Sequence, residues 1–207
     1  MSQASLLGGI VGHSREPVAR VDAIDEQVRQ LIDRGHSTAA MELMAREFGD
    51  IVFSNAYRIL GSHAAAQDAL QQTFFEALRD LSSFQSRSSV KTWLLGIGTH
   101  RALDVARRMR REEQWQVSEV EGDDVPETTV PEVPAALDHR RRTRALEECL
   151  RQLSAKVRAA LLMRFQHGLS YEDIAKSCSA RPGTLQARVT RAFPVLRRCL
   201  INKGMEP

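Results

Sequence analysis

Apolar residues recur at intervals of three and four along most of the chain, and no segment alternates apolar and polar residues as an amphipathic strand does. This spacing is typical of a helix that buries one face. It predicts an all-α fold. In the first half of the chain four such helices are predicted, at about Val21–Ile32, Ser37–Ile59, Ala65–Leu81 and Lys91–Arg111. Each has an apolar stripe that needs a neighbour, so the four should form one bundle.

Small residues mark the expected ends of these helices. Gly35 and Gly61 are predicted to end the first and second helices, because glycine readily adopts the left-handed conformation that follows a helix. Ser37 is predicted to cap the second helix. In the third helix one buried face is expected to contain Leu70, Phe74, Ala77, Leu78 and Leu81.

The middle of the chain has a different composition. Residues 112–138 contain nine acidic residues and no Lys or Arg, so the rest of the chain has a net charge of +12. Three prolines and few large apolar groups accompany these acids, and such a segment cannot bury enough surface to fold. We expect residues 112–139 to be a flexible acidic linker between domains at 22–111 and 140–207, with residues 1–21 a disordered extension.

The second domain begins with a further helical stripe, which includes Leu146, Leu153 and Leu161 and is predicted to be one helix closed by Gly168. Ser170 and Asp173 then resemble a capping box. They predict a short helix with Ile174, Ala175 and Cys178 facing inward. Because this domain is small, it can bury only a small core, and we expect its stability to be modest.

The segment "SARPG" predicts a turn, since Pro182 and Gly183 both discourage a continuous helix. A last helix follows, with an apolar face at Leu185, Val189, Ala192, Phe193, Leu196 and Leu200. Pro194 is expected to kink or end it. Two short helices around such a turn form a helix-turn-helix, whose second helix enters the DNA major groove.

The charge of this last segment favours a nucleic-acid partner. Residues 179–203 contain six basic residues and no acid, whereas an ordinary surface helix mixes both signs. Arg and Gln on the outer face could contact base edges or phosphates. DNA is therefore the predicted partner of the second domain.

The remaining composition narrows the functional class. The three cysteines, Cys149, Cys178 and Cys199, are widely spaced and are expected to be reduced core residues of a cytoplasmic protein. We find no sequence motif of a hydrolase, metalloprotease or nucleotide-binding enzyme, and the six histidines have no spacing that suggests a shared metal. We therefore expect no enzymatic activity, no cofactor and no membrane insertion.

Two stretches resemble a known family. "DALQQTFFEALRDLSSF", followed by a polar loop and "KTWLL", resembles the second conserved region of bacterial RNA polymerase sigma factors of the extracytoplasmic-function class. "GLSYEDIAKSCSARPGTLQARVTRA" resembles the fourth region of the same class. The resemblance implies an alternative sigma factor that binds core RNA polymerase through its β′ clamp helices and β flap, recognises promoter DNA and helps to open it.

The resemblance also implies site residues. Recognition of the minus-thirty-five element is implied for Arg181, Thr184, Gln186, Ala187, Arg188 and Arg191. Capture of the minus-ten element is implied for Phe84, Gln85, Ser86, Arg87, Ser88, Lys91, Trp93, His100, Arg107 and Arg108. Polymerase binding is implied for Asp68, Gln71, Gln72, Phe75 and Glu76. His100, Gln186 and Ala187 depart from the residues common in the family, so the promoter preference is expected to be altered. Gln72 stands where the family usually has Glu, so one charged contact with the polymerase is expected to be weaker.

Several alternatives stay open at this point. Trp93 fits either strand separation or core packing, the outer face of the third helix fits either polymerase or solvent, and the linker fits either an RNA mimic or a solvated tether. An anti-sigma factor that grips both domains is a possible further partner. The alternative function is a stand-alone helix-turn-helix regulator, which would leave the first domain without a role.

Overall fold

The computed structural model describes residues 18–84, 88–115 and 134–205. Residues 1–17, 85–87, 116–133 and 206–207 lie outside the described part, and with them most of the predicted extension and linker. The edges of those two predictions were wrong. Residues 18–21 already belong to the first helix, and residues 112–115 and 134–139 continue the helices on either side of the linker.

The first domain is the predicted helical bundle. Its helices are α1 (Val18–Asp33), α2 (Ser37–Leu60), α3 (His63–Asp80) and α4 (Val90–Trp115), with a short 3-10 turn at Leu81–Ser83 after α3. α2, α3 and α4 pack against one another and α1 lies mainly on α2. The described residues contain no strand, which confirms the all-α prediction.

Two predictions about the first domain were wrong, one at the start of α2 and one on the buried face of α3. Gly35 and Gly61 have φ angles of 75° and 77° and follow α1 and α2 as expected. Ser37 does not cap α2, because His36 occupies the N-cap position and makes no capping bond from its side chain. Leu78 is 50% exposed although Ala77 and Leu81 are buried, because the buried stripe of α3 is narrower than the sequence suggested.

The second domain contains α5 (Pro134–Arg151), α6 (Ala155–Leu161), a π-helical turn (Leu162–Gln166), α7 (Tyr171–Cys178) and α8 (Pro182–Asn202). The prediction of one helix up to Gly168 was wrong, since α5 ends at Arg151 and α6 starts after Ser154. Arg158 accounts for the break: its guanidinium donates to the carbonyl oxygens of Arg151 and Leu153, both at 3.0 Å, in place of the missing helical N–H groups.

The helix-turn-helix has the predicted form. Ser170 Oγ accepts the backbone N–H of Asp173 at 3.1 Å, and Ser179 turns the chain with a φ of 48°. Pro194 does not end α8, which continues to Asn202. Pro194 is exposed, and the nearby Phe193 and Leu196 are buried, so packing on the inner face holds the helix together despite one lost backbone bond.

The cysteines differ from expectation. Cys149 of α5 and Cys199 of α8 form a disulfide, with Cα atoms 5.8 Å apart, so the prediction of three reduced thiols was wrong for this pair. The two residues are 50 positions apart, and they meet because α5 and α8 pack together. Cys178 is a free buried cysteine, and burial raises the pKa of its thiol to about 11.

The two domains are packed against each other. One apolar cluster contains residues of α2, α3 and α4 together with residues of every helix of the second domain. α7 lies along α4, and α6 contacts both α2 and α4. Within the residues described above, no helix is both long and apolar enough to cross a membrane.

Candidate nucleic-acid interface

The recognition helix α8 has two distinct faces. Its apolar residues are buried, including Leu185, Val189 and Leu196. The residues predicted to contact the minus-thirty-five element lie together on exposed positions of the same helix and its N-cap: Arg181, Thr184, Gln186, Ala187, Arg188 and Arg191. The fold therefore brings the whole predicted set onto one surface.

The chemistry of this surface suits DNA. Arg188 and Arg191 are one turn apart, and Arg191 Nε donates to the carbonyl of Ala187 at 3.2 Å, which directs its side chain back along the helix. The helix also starts with Pro182 after an extended Arg181, so the N-terminal end of α8, which carries a partial positive charge, lies next to Arg181. Guanidinium groups and free backbone N–H groups are the usual partners of phosphates and guanine edges.

The predicted minus-ten surface surrounds the start of α4. The rings of Phe84 and Trp93 are 4.8 Å apart, and both residues pack at the edge of the first-domain core. This contact favours the core interpretation of Trp93. Gln85, Ser86 and Arg87 lie outside the described residues, whereas Ser88 is exposed at the end of the loop.

Two bonds that sequence reasoning missed fix the C-terminal end of this loop. Asp25 of α1 accepts the backbone N–H of Val90 at 3.0 Å, and Ser89 Oγ accepts the N–H of Thr92 at 3.1 Å. Burial raises the pKa of Asp25 above its ordinary value, and the bond from Val90 opposes that shift. Ser89 lies three residues before Thr92, a spacing typical of an N-cap, so the sequence could have predicted this bond. The bond from Val90 to Asp25 could not be predicted in this way, because its partners are 65 residues apart.

The other predicted minus-ten residues lie along α4. Lys91 is half-buried, while Arg107 and Arg108 are exposed. Asp104 pairs with Arg107 at 2.8 Å and lies 3.5 Å from His100 Nδ1. Asp104 was not among the predicted residues. Its carboxylate partly neutralises the positive charge of this surface and orients the side chains of Arg107 and His100.

The predicted polymerase surface on α3 combines an exposed apolar side chain with polar neighbours. Phe75 is 74% exposed and, with Gln71, Gln72 and Glu76, lines a shallow depression of about 400 Å³. Glu76 forms ion pairs with Arg101 at 2.8 Å and with Arg79 at 3.7 Å. Asp68 is exposed nearer the start of the same helix. Leu78, one helical turn further along α3, is also exposed, and exposed apolar side chains that lie together among polar residues are typical of a protein-binding surface.

Comparisons with known proteins identify the two domains. Residues 44–112 match the family model of Sigma-70 region 2, and residues 143–193 match that of Sigma-70, region 4. The chain is 30% identical over 190 residues to the RNA polymerase sigma-H factor of Pseudomonas aeruginosa, covering 88% of this chain and 94% of that protein. It is also 30% identical over 175 residues to the ECF RNA polymerase sigma factor SigK of Mycobacterium tuberculosis, covering 80% and 88%.

Solved structures show the same architecture. The sigma factor RpoE from Bartonella quintana, in complex with the anti-sigma factor NepR, matches with a TM-score of 0.60 and 25% identity, covering 77% of this chain and 95% of that one. A second structure, CnrH in complex with the cytosolic domain of CnrY, matches in fold with a TM-score of 0.57 and 20% identity over 86% and 98% of the two chains.

Proposed function

This chain belongs to the extracytoplasmic-function family of RNA polymerase sigma factors, and we propose that its two domains read two promoter elements through the surfaces described above. It is an alternative sigma factor, which binds core RNA polymerase and promoter DNA to initiate transcription. The observation that supports the residue-level proposal best is the separation of α8 into a buried apolar face and an exposed face of Arg, Gln and Thr.

The second domain reads the minus-thirty-five element in the major groove. Arg188 and Arg191 suit guanine, and Gln186 suits adenine, because these side chains match the donor and acceptor pattern of those bases. Ala187 offers only an apolar contact, for which the thymine methyl group is the natural partner. Arg181 lies at the N-cap, where a phosphate contact positions the helix without reading sequence.

The first domain captures an unpaired base of the minus-ten element at the loop around residues 84–90. Small hydroxyl side chains bond the edge of the base, and Arg87, Lys91, Arg107 and Arg108 contact phosphates. Flipping a base out of the stack costs a few kcal/mol, so several contacts must act together. The protein opens the promoter by binding the unpaired strand preferentially, which requires no covalent chemistry. This role in transcription implies a cytoplasmic location.

The exposed face of α3 docks on the clamp helices of the polymerase β′ subunit. Phe75 supplies the apolar contact, and Asp68, Gln71, Gln72 and Glu76 supply polar ones. Because the similar protein from Bartonella quintana is bound to an anti-sigma factor, we propose that an anti-sigma factor also binds this chain. A stand-alone regulator would leave Phe75 exposed without a partner.

The minus-thirty-five assignment is tested with Arg188→Ala. Binding to duplex DNA that carries the upstream element should weaken by about 1–3 kcal/mol, or about 5- to 150-fold, because a bidentate base contact is lost. The matched control is Arg197→Ala, since Arg197 is equally exposed on α8 but lies outside the predicted set. Equal losses for both variants on specific and scrambled DNA would mean that Arg188 contributes charge alone.

The minus-ten assignment is tested by replacing Ser86, Arg87 and Ser88 with alanine. Duplex binding through α8 should remain intact, whereas opening of the promoter by the holoenzyme should fail. Permanganate footprinting measures unpaired thymines directly. A footprint equal to that of the wild type would contradict base capture by this loop.

A further inference from the structure

A series of ion pairs crosses the first domain from the polymerase surface on α3 to the minus-ten surface on α4. Glu76 of α3 pairs with Arg101 of α4, and Glu76 Oε2 lies 2.8 Å from Arg101 Nε. Arg101 Nη1 lies 3.3 Å from Asp104 Oδ2, and Asp104 Oδ1 lies 2.8 Å from Arg107 Nη2. Arg101 belongs to none of the predicted sets of site residues, yet it contacts one carboxylate on each surface. We call Glu76, Arg101 and Asp104 the Arg101 bridge.

The Arg101 bridge is part of the polymerase surface itself. The side chain of Arg101 lines the depression of about 400 Å³ that Phe75 and Gln72 also line. The side chains of Glu76, Arg101 and Asp104 are 23%, 27% and 29% exposed, so water and salt screen their charges less than those of a fully exposed pair. A protein that covers the depression excludes more water and therefore acts on charges that already interact.

The geometry of Arg101 allows it to change partners. Its Nε atom is buried and has no hydrogen-bond partner among the described residues, although Glu76 Oε2 lies 2.8 Å away. The pair with Glu76 is therefore held by charge and not by a well-aligned hydrogen bond. The other two nitrogens of Arg101 lie near α4 residues, Nη1 at Asp104 and Nη2 at 2.7 Å from His100 Nδ1. A guanidinium can contact two carboxylates at once because its five N–H groups form a planar fork.

The α4 end of the bridge controls a group that is proposed to bind DNA. Asp104 carries one negative charge and is contacted by two guanidinium groups, those of Arg101 and Arg107. The two arginines therefore compete for the same carboxylate. When Arg101 pairs more fully with Asp104, less negative charge remains to hold Arg107, and Arg107 is freed to contact a phosphate of the minus-ten strand.

We propose that Arg101 couples polymerase binding to minus-ten binding, by shifting from Glu76 to Asp104 when the polymerase binds Glu76. A basic side chain of the polymerase neutralises Glu76, Arg101 then pairs mainly with Asp104, and Arg107 is released to DNA. Arg101 acts through these two carboxylates and is a positioning residue. Both surfaces must be used as proposed above, so the coupling rests on the proposed function. By linkage, the minus-ten strand must tighten polymerase binding by the same factor.

The coupling is measured by titrating the fluorescently labelled full chain with core polymerase, and following anisotropy. One titration is made without DNA, and one with a saturating single-stranded oligonucleotide that spans the minus-ten element of a promoter transcribed by the holoenzyme. The ratio of the two dissociation constants is the coupling factor. In Arg101→Gln this factor should fall about two- to fivefold below that of the wild type, the size expected for one partly exposed ion pair. A change in basal polymerase affinity affects both constants and cancels in the ratio.

Arg79→Gln is the matched control. Arg79 also pairs with Glu76, at 3.7 Å, and lines the same depression, but its other ion pair in the described structure is with Asp80 of α3. The substitution removes the same charge from the same surface, so its coupling factor should stay within about twofold of the wild type. An equal fall for Arg79→Gln and Arg101→Gln would overturn the proposal, because charge alone would then account for the effect.

A double variant tests whether Glu76 and Arg101 act as one unit. Glu76→Gln/Arg101→Gln should have the same coupling factor as Arg101→Gln, because either substitution already breaks the bridge. Additive losses would mean that the two residues act separately, and would overturn the proposal. Circular dichroism checks that Arg101→Gln is folded. If it is not, Glu76→Gln breaks the same pair from α3 and should show the same fall in the coupling factor.

Two results distinguish a failure of the coupling from a failure of the proposed function. If the oligonucleotide does not bind to the wild-type holoenzyme, the minus-ten assignment is wrong, and the coupling is wrong with it. If the oligonucleotide binds, and the wild type and Arg101→Gln have equal coupling factors, the coupling through Arg101 is wrong while the two proposed surfaces stand.

Discussion

The first domain has an apolar cluster of its own, which includes Met44, Phe48 and Leu94, whereas the apolar residues of the second domain form one cluster that continues into the first. The second domain also contains all three cysteines and the disulfide between α5 and α8. A domain this small buries a low fraction of its surface, so a covalent link and a neighbouring surface add stability that its own core cannot supply. The difference indicates that the second domain is the one whose stability depends most on its surroundings.

Reduction of the disulfide is expected to have the largest effect on this difference. Closing a loop of 50 residues removes enough entropy from the unfolded chain to stabilise the folded state by about 4 kcal/mol. Reductant should therefore lower the free energy of unfolding of the second domain and leave the first domain, which contains no cysteine, nearly unchanged. Hydrogen exchange followed by mass spectrometry measures both domains in one sample.

A matched variant isolates the disulfide from other effects of the reductant. Cys149→Ala/Cys199→Ala should show low protection in the second domain with or without reductant. If reduction of the wild type, verified by counting free thiols, leaves the exchange of α5 and α8 unchanged, the two domains do not differ in the way described here.

The pH dependence of the contact between the two domains is expected to be the next largest effect. Burial, with smaller contributions from the nearby charges of Lys91 and Arg58, lowers the pKa of His167 to about 4 where the domains pack together. If the domains separate, the imidazole becomes solvated and its pKa returns toward ~6.5. Separated domains then bind more protons between these two values, so the contact is most stable above pH 6.5 and loses stability as the pH falls toward 4.

Between pH 7.5 and pH 5 this linkage destabilises the contact between the two domains by about 2 kcal/mol. The radius of gyration should rise over that range in the wild type. His167→Gln keeps an amide that can bond Asn55 but does not titrate, so its radius should depend much less on pH. An identical pH profile for both proteins would assign the transition to other groups.

Local patterns in the sequence predicted the parts of this molecule that depend on neighbouring residues. The two faces of α8 and the capping box at Ser170 follow from spacings of three or four residues, and the helix ends at Gly35 and Gly61 follow from the conformational freedom of glycine; the structure has all of them. The helix-turn-helix could therefore be predicted from one stretch of sequence. The helix break before Ser154 was missed because the apolar spacing continues across it.

The features that sequence reasoning missed connect distant positions. Arg158 and Ile59 are 99 residues apart, Asn55 and His167 are 112 apart, and the disulfide spans 50. Nothing near any of these residues indicates its partner, because each contact forms only when two separately folded helices meet. Arg158 is buried because its carbonyl partner Ile59 comes from a distant part of the chain, and the sequence around Arg158 does not indicate it.

The smallest expected effect is the change in the free energy of unfolding when the capping serine of one helix in each domain is replaced by alanine. In α7 of the second domain, Ser170 Oγ accepts the N–H of Asp173 at 3.1 Å and donates to the Asp173 carboxylate at 2.7 Å, and the latter bond lowers the pKa of Asp173 from its ordinary value. In α3 of the first domain, Ser62 accepts from Ala65 over a longer 3.4 Å. Ser170→Ala should cost about 1 kcal/mol of unfolding free energy, and Ser62→Ala should cost less.

Ser154 provides the matched control for these caps. It occupies the N-cap position of α6, but its side chain makes no capping bond, so Ser154→Ala should change the free energy of unfolding by less than about 0.5 kcal/mol. Urea denaturation followed by circular dichroism measures all three variants under one condition. Equal losses for Ser154→Ala and Ser170→Ala would show that the hydroxyl groups act through solvation and not through capping. A larger loss at Ser62 than at Ser170 would mean that the first domain, and not the second, depends more on its local contacts.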